Sequence, residues 1–114
     1  MKAINLTPHA ITVRVAGRDV VIPPSGQVTR VSVSQAEAGT VEVDGIAIPV
    51  VVNKYGEVTG LPGPVPETIY IVSGLVLSRV ADRKDVVAPD TGATAIRDGN
   101  GQIVAVTRFV GAGD

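Results

Sequence analysis

The stretch AITVRVAGRDVVI, residues 10–22, has the pattern that decides the class of fold. Polar and apolar residues alternate over residues 10–16, which is typical of a half-buried β-strand. Gly17-Arg18 can turn the chain, and residues 19–22 form a second, largely apolar run. Two such runs separated by a short break predict an antiparallel hairpin. Local sequence therefore favours a β protein.

The same alternation recurs on both sides of this hairpin. Residues 2–6, KAINL, and residues 27–34, QVTRVSVS, each alternate with a period of two. Asp44-Gly45 joins VEV to IAIPVVV and predicts a second hairpin turn, because glycine there tolerates a positive φ. Pro49 indicates a sheet edge or a bulge, since proline donates no hydrogen bond. Residues 35–39 are predicted to form a loop or a helical turn.

The second half of the chain contains the one predicted helix. Three prolines within residues 62–66 predict a stiff, extended connector. Residues 68–72, TIYIV, are typical of a strand that is covered on both faces. A helix is predicted over residues 73–83, with Ser73 as its N-cap. Short strands are predicted at 86–88, 93–97 and 103–110, with a turn at 98–101.

Length and composition agree with these elements. A chain of 114 residues is long enough for one hydrophobic core. Apolar residues make up 45% of the chain and aromatic residues only 3%, so the core must consist mainly of Val, Ile, Leu and Ala, which favours strands. We predict that residues 1–114 form a single, mainly β domain. It is expected to be a small barrel or sandwich of about eight to ten short strands, with one short helix at about 73–83.

Charge and residue counts exclude several classes of function. Ten basic and eleven acidic residues give a net charge of −1, and no basic run occurs, which disfavours nucleic-acid binding. The chain has no cysteine and one histidine, which excludes disulfides and Cys-based zinc sites and disfavours most transition metals. No Walker loop, dinucleotide fingerprint or acidic metal cluster is present. We therefore expect neither a metal nor a cofactor.

The sequence also lacks targeting and membrane signals. Residues 1–13 do not contain the continuous apolar segment of a secretory signal. No segment approaches the roughly 20 apolar residues that a membrane span needs. We expect a soluble protein of the cytoplasm with no membrane partner.

Two segments near the predicted helix are candidate ligand-binding elements. Ser73-Gly74 stands at the start of that helix, where free backbone N–H groups favour a phosphate or a carboxylate. The same serine is more simply explained as the helix N-cap. Asp90 and Thr91, within PDTG, would supply a carboxylate and a hydroxyl to this region, although the four residues also make an ordinary turn.

His9 follows Pro8 at a break between two predicted strands. Histidine is a frequent general base, and a catalytic triad of Ser73, His9 and Asp90 is one hypothesis. However, no nucleophile-elbow pattern surrounds any serine of the chain. A solvated or hydrogen-bonded loop histidine is the simpler interpretation, so hydrolase activity is the weaker alternative.

Two arginines and two aromatic residues complete the candidates. Arg30 and Arg108 lie within predicted strands, and guanidinium groups suit phosphate or carboxylate recognition. The alternative is that both lie on a solvated sheet face. Tyr70 and Phe109 are two of the three aromatic residues and could stack a base, although core packing is the commoner role.

Six short motifs occur in order along the chain: INLTPH, IPPSG, GLP, TIYIVS, PDTG and the terminal TRFV. Together they resemble a group of short proteins encoded by bacteriophages and prophages, especially in actinobacterial sequences. The resemblance covers most of the chain and implies a phage accessory role without a particular activity. The positions that recur in the group are Asn5, Leu6, Thr7, Pro8, His9, Pro24, Arg30, Gly60, Leu61, Pro62, Tyr70, Ser73, Pro89 and Arg108. Asp90-Thr91-Gly92 varies more.

Phage accessory proteins of this size are commonly binding modules or small virion and assembly components. Our leading hypothesis is a binding protein that sequesters an anionic, nucleotide-like small molecule in the host cytoplasm as a counter-defence. Polar residues at strand ends, together with arginines, fit this role better than a coat component. The predicted ligand-binding residues are Asn5, Thr7, His9, Arg30, Tyr70, Ser73, Asp90, Thr91 and Arg108.

The alternative is a structural or assembly protein of the virion, whose strands pair with neighbouring copies. Homo-oligomerisation is expected in both cases, because a valine-rich chain with many short strands must cover its sheet edges. The sequence leaves enzymatic activity open, favours a binding or structural role, and assigns no catalytic residue.

Overall fold

The structure is a computed structural model that describes residues 1–112. It is mainly β, with 54% strand and 4% helix, as the sequence predicted. In chain order the elements are β1 (Lys2–Asn5), β2 (Ile11–Val15), β3 (Arg18–Ile22), β4 (Arg30–Val43), β5 (Ile46–Thr59), β6 (Thr68–Ile71), α1 (Gly74–Leu77), β7 (Val86–Pro89), β8 (Ile96–Arg97), β9 (Ile103–Ala105) and β10 (Phe109–Gly111).

A four-stranded sheet in the order β1-β6-β7-β10 forms the centre of the body. β6 is parallel to both of its neighbours, and β10 is antiparallel to β7. The apolar run that predicted a strand covered on both faces is β6, in which Tyr70 and Ile71 are buried. α1 packs its buried residues Val76 and Leu77 against this sheet, in one cluster with Leu6. This cluster is the hydrophobic core.

Of the two architectures that the sequence left open, a small barrel or a sandwich, the structure is not a closed barrel, because its sheets are open. Closure requires each strand to pair with two neighbours around a ring. The other described strands form three local, two-stranded sheets instead, which are β2–β3, β4–β5 and β8–β9, and an isolated bridge joins Val13 of β2 to Val106. Short connections make these local pairings the easiest for the chain to form.

Two hairpins turn through two residues that both have positive φ, as a type I′ turn requires. The predicted Asp44-Gly45 turn is confirmed, with φ of 52° and 79°. In the first hairpin the turn residues are Ala16 and Gly17, one position earlier than predicted, with φ of 54° and 76°. Arg18 instead opens β3, where it pairs with Val15.

The loop predicted at residues 35–39 is wrong, because these residues lie within β4. The ladder between β4 and β5 is irregular between Glu37 and Thr40, where β4 has one residue more than β5. Gly39, with a φ of +95°, lies in this β-bulge. Pro49 pairs with Thr40 directly beside this bulge, in a sheet of only two strands, so it lies both at a sheet edge and next to a bulge, the two settings that proline indicated.

The helix predicted over residues 73–83 is much shorter, since α1 spans only Gly74–Leu77. Ser73 is its N-cap, as predicted, and accepts a hydrogen bond from the Val76 amide at 3.3 Å. After one turn the Ser78 hydroxyl donates to the Leu75 carbonyl at 2.6 Å. The following amides bond to carbonyls three residues back rather than four, so the chain continues as turns.

Three predicted strands have bounds that differ from those expected. The segment 27–34 becomes strand only from Arg30, because Thr29 is buried and donates its hydroxyl to the Gly60 carbonyl at 3.1 Å. Only Ile96–Arg97 of the segment 93–97 is strand. The last predicted strand, 103–110, is divided into β9 and β10.

Three side chains hold the proline-rich connector to the body, and one of them is Thr68, whose hydroxyl donates to the Pro66 carbonyl at 3.2 Å. Arg83 donates to the Pro62 carbonyl and to both oxygens of Asp85, each at 2.9 Å. The hydrogen bond from Arg83 lowers the pKa of Asp85 from its ordinary value. The Tyr70 hydroxyl donates to the Gly63 carbonyl at 3.2 Å. The connector is therefore held in place as well as stiff.

Candidate functional site

Asn5, in the INLTPH motif, holds three segments of the chain together. Its side chain is buried, and its amide group donates to the carbonyls of His9 at 2.8 Å and Ile22 at 3.1 Å. Its carbonyl oxygen accepts from the Thr7 amide at 2.9 Å and lies 2.7 Å from the Thr7 hydroxyl. Each polar atom of the Asn5 side chain is thus used to join β1, the 7–9 turn and the end of β3.

Three of the predicted site residues line one open hollow of about 290 Å³. Thr7, Arg30 and Ser73 come from the 7–9 turn, the start of β4 and the N-cap of α1. Arg30 is exposed and makes no ion pair within residues 1–112, whereas the Ser73 hydroxyl already caps the helix. We call this the Arg30 hollow. It offers the Arg30 guanidinium and the Ser73 hydroxyl proton to an anion, because the one proton of the Thr7 hydroxyl is donated to Asn5 or to the His9 carbonyl.

Two further predicted residues line a different hollow, of about 360 Å³. His9 and Thr91 lie at it among mainly apolar neighbours, which include Ile11, Ile103 and Val104. The His9 side chain is exposed and forms no hydrogen bond with the described residues. The turn motif therefore contributes Thr7 to one hollow and His9 to another.

Asp90 and Arg108 form an ion pair with each other. The Arg108 Nε donates to the Asp90 carboxylate at 2.7 Å, and the Gly92 amide donates to the same side chain at 3.0 Å. Both hydrogen bonds lower the pKa of Asp90, that from Arg108 more strongly. Asp90 therefore accepts a hydrogen bond within its own turn, as expected if PDTG is an ordinary turn.

The remaining predicted residue, Tyr70, is buried in the core at 2% exposure. Across the nine predicted residues, the structure brings Thr7, Arg30 and Ser73 together, places His9 with Thr91, and pairs Asp90 with Arg108. Ligand binding at these residues stays a prediction.

The three residues of the hypothetical triad lie apart in this arrangement. Ser73 lines the Arg30 hollow, His9 lines the other hollow, and Asp90 is paired with Arg108. Within residues 1–112 no hydrogen bond joins His9 to Ser73 or to Asp90. A hydrogen-bonded triad is therefore not formed.

The feature that sequence reasoning missed is a long projecting hairpin. β4 and β5 have 14 residues each, which corresponds to a length of about 45 Å. The radius of gyration is 17.5 Å, whereas a compact chain of this length has about 13 Å. Arg79 of the body stacks on the Tyr55 ring, 4.3 Å from its centroid. Beyond Tyr55 nearly all side chains of the hairpin are exposed, and we call residues 36–52 the distal arm.

One face of the distal arm is continuously aliphatic. The bulge at Gly39 shifts the alternation of β4 by one residue, so that Ala36 and Val41 lie on the same face although their numbers differ in parity. The cross-strand pairs then place seven aliphatic side chains on this face, which we call the arm face: Ala36, Val41, Val43, Ile46, Ile48, Val50 and Val52. Exposure reaches 65% at Ile46.

The opposite face of the distal arm is mixed in character. It carries Glu37, Thr40, Glu42, Ala47, Pro49 and Val51. The sequence does indicate this difference between the two faces, because the residues that flank Asp44-Gly45 alternate between Val or Ile and other types. The continuous aliphatic face was not predicted, because the loop expected at 35–39 divided β4 into two parts.

No helix within residues 1–112 is long and apolar enough to cross a bilayer. In that part of the chain no three His, Asp or Glu side chains are grouped so that they could hold a metal ion.

Comparison with known proteins adds no relative. No family model, curated protein or solved structure matches the chain. Function is therefore inferred from the residues and their geometry.

Proposed function

We propose that this protein is a structural self-assembly protein that uses its distal arm to contact other copies of itself. The observation that carries the proposal is the arm face, where aliphatic side chains are exposed on a projecting two-stranded sheet. The resemblance of the sequence motifs to phage proteins supports placing this assembly in a virion or in its construction. This is the structural alternative, and it fits the geometry better than a nine-residue ligand pocket.

The physical reason is that the arm lacks a core of its own. A two-stranded hairpin alone is at best marginally stable in water, and it needs a further layer on its apolar face. Burying a Val, Leu or Ile side chain fully contributes roughly 1.5–3 kcal/mol, so covering the arm face provides a substantial driving force. Contiguous exposed aliphatic surface of this kind marks an interaction site.

Charge complementarity favours a second copy as the partner. The distal arm has three carboxylates, Glu37, Glu42 and Asp44, and no Lys or Arg. The whole chain has 10 basic and 11 acidic residues, so the rest of the chain has two more basic than acidic residues. An acidic arm and a basic body attract each other between copies.

Sedimentation velocity of the purified chain tests this proposal. We expect species heavier than the 11.7 kDa monomer, with a fraction that rises with protein concentration because association is a mass-action equilibrium. A single 11.7 kDa species at every concentration would contradict self-assembly.

A second candidate function is the binding of an anionic small molecule in the Arg30 hollow. The observation that favours it is that Thr7, Arg30 and Ser73 converge there from three separate segments. Arg30 supplies the positive charge, and its guanidinium matches a phosphate or a carboxylate. In this second proposal, only three of the nine predicted ligand-binding residues, Thr7, Arg30 and Ser73, form the binding site.

Isothermal titration with ATP measures this second function. If the hollow binds nucleotide phosphates, Arg30→Ala should weaken binding by about 1.5–3 kcal/mol, because a charge-assisted hydrogen bond is lost. Lys2→Ala removes an exposed cation outside the hollow and serves as the control. Equal heats for wild type and Arg30→Ala would exclude Arg30 from binding.

A further inference from the structure

We propose that the arm face of one copy docks on the outer end of the β2–β3 hairpin of the next copy, so that the copies join head to tail. This inference rests on the proposed self-assembly and names the surface that receives the arm. It is drawn from the burial and charge of the two hairpins.

The outer end of the β2–β3 hairpin has an exposed aliphatic pair beside a cation. Cross-strand pairing places Val15, Arg18 and Val20 on one face, and both valines are 57% exposed. Further along this face, Ile11 and Ile22 are half-buried against the body. The receiving face is thus aliphatic, attached to a rigid body, and basic at its end.

Arg18 is available for a contact between copies. Within residues 1–112 it makes no ion pair. The nearby carboxylate of Asp19 lies on the other face of the hairpin, where Arg14 binds both of its oxygens at 2.7 Å and 3.1 Å. The receiving face therefore carries a positive charge without an acidic neighbour on the same face.

The tip of the distal arm has the complementary character. Val43 and Ile46 lie on the arm face beside the turn, and Asp44 stands in the turn itself. Aliphatic contact between the arm face and Val15 and Val20 would bring the acidic tip close to Arg18. Hydrophobic burial and charge attraction then favour the same pairing.

Pairing of two arms with each other is disfavoured by charge. Two stacked arms would each carry a net charge of −3 with no Lys or Arg to offset it, although Glu37 and Glu42 lie on the faces turned away from each other. Like charges placed together at an interface are unfavourable. The β2–β3 hairpin of the next copy does not repel the acidic arm in this way, because its one carboxylate, Asp19, is bound by Arg14.

The proposed contact uses two different surfaces of the same chain. Such a heterologous interface leaves one free arm and one free receiving face at each step of assembly. The chain therefore grows into a closed ring when the rotation between copies closes, and into a filament when it does not. A symmetric dimer would instead use the same surface twice.

Cysteine cross-linking distinguishes these arrangements, because the chain has no cysteine of its own. One variant has Val43→Cys on the arm face, and a second has Val20→Cys on the receiving face. The variants are treated with a short bis-maleimide reagent, separately and as a mixture. Leu75→Cys, at an exposed position of α1 outside both surfaces, is mixed with Val43→Cys as the matched control.

The head-to-tail contact predicts cross-linked dimers mainly in the mixture of Val43→Cys with Val20→Cys. Cross-links in Val43→Cys alone would show arm-to-arm pairing and overturn the inference, while self-assembly itself would stand. Equal cross-linking with the Leu75→Cys control, or none in any mixture although the chain still sediments as an oligomer, would also overturn it. A wild-type monomer would contradict the proposed function instead.

A charge reversal provides a second measurement of the same contact. Arg18→Glu should raise the concentration needed for half-assembly by roughly fivefold, because one exposed charge contact is lost and a repulsion is added. Lys2→Glu makes the same change of charge at an exposed position outside the receiving face. An equal shift in both variants would mean that net charge, and not the contact at Arg18, controls assembly.

Discussion

Replacing the distal arm, residues 36–52, by a two-residue Asp-Gly turn is expected to yield a folded monomer. The replacement leaves Gln35 and Asn53, which pair across β4 and β5, beside the new turn. It removes the whole arm face, and with it the aliphatic surface that the proposed association would bury. The core should be retained, because no buried core residue comes from the removed segment and Val58 at the base of the arm remains.

Sedimentation velocity and thermal unfolding measure the two parts of this expectation. The shortened chain should sediment as a monomer at concentrations where the wild type is oligomeric, and it should still unfold cooperatively. An oligomer of undiminished size would show that the arm does not mediate assembly.

A matched pair of point variants locates the contact on one face of the arm. Ile48 lies on the arm face and Val51 on the opposite face, and their exposures are similar, at 45% and 47%. Ile48→Ser should weaken assembly, and Val51→Ser should leave it nearly unchanged. The comparison controls for the loss of strand propensity, because each variant replaces a β-branched residue with serine in the same strand.

Asn5→Ala is expected to destabilise the fold more than any surface substitution in the 7–9 turn. The variant leaves the His9 carbonyl, the Ile22 carbonyl and the Thr7 amide without the partner that Asn5 provides. An unsatisfied buried polar group costs about 1–3 kcal/mol, but these hydrogen bonds are part-buried and the His9 carbonyl still accepts from the Thr7 hydroxyl, so we expect a loss of about 2–4 kcal/mol. A typical domain has a stability of about 5–15 kcal/mol, so this loss is large.

Thermal and urea unfolding measure this effect, with two neighbouring variants as controls. Asn5→Ala should lower the Tm by roughly 10–20 °C. Thr7→Val removes one hydroxyl hydrogen bond and should cost about 1 kcal/mol. His9→Ala removes an exposed side chain and should change stability by less than about 0.5 kcal/mol. Equal effects of Asn5→Ala and His9→Ala would show that Asn5 does not hold the three segments together.

Much of the fold was predictable because its signals are local. Alternation and Asp44-Gly45 predicted both hairpins, since a two-residue turn with positive φ places the flanking residues opposite each other. The apolar run at residues 68–72 predicted a doubly covered strand, and Ser73 predicted the helix start. The length of the helix was not predictable from its pattern, because Val80 is buried equally well from a series of turns.

The bulge in β4 is a feature that the local sequence pattern did not predict. Periodicity around Gly39 is broken by a single extra residue, and a break in alternation resembles a loop. Only the pairing with β5 shows that the strand continues and that Ala36 shares a face with Val41. The arm therefore depends on a register between two strands, which neither strand specifies alone.

The order of amino acids alone determined the class of fold, the turns and the N-cap, because these depend on neighbouring residues. Only the tertiary structure decided which polar residues meet, because meeting depends on strand order and register over long separations. Asn5, Thr7 and His9 are neighbours in sequence, yet one is used within the fold and the other two line different hollows. For the same reason, aliphatic residues whose local pattern would suit a hydrophobic core lie exposed on the arm face, which is the surface that the proposed contact between copies would cover.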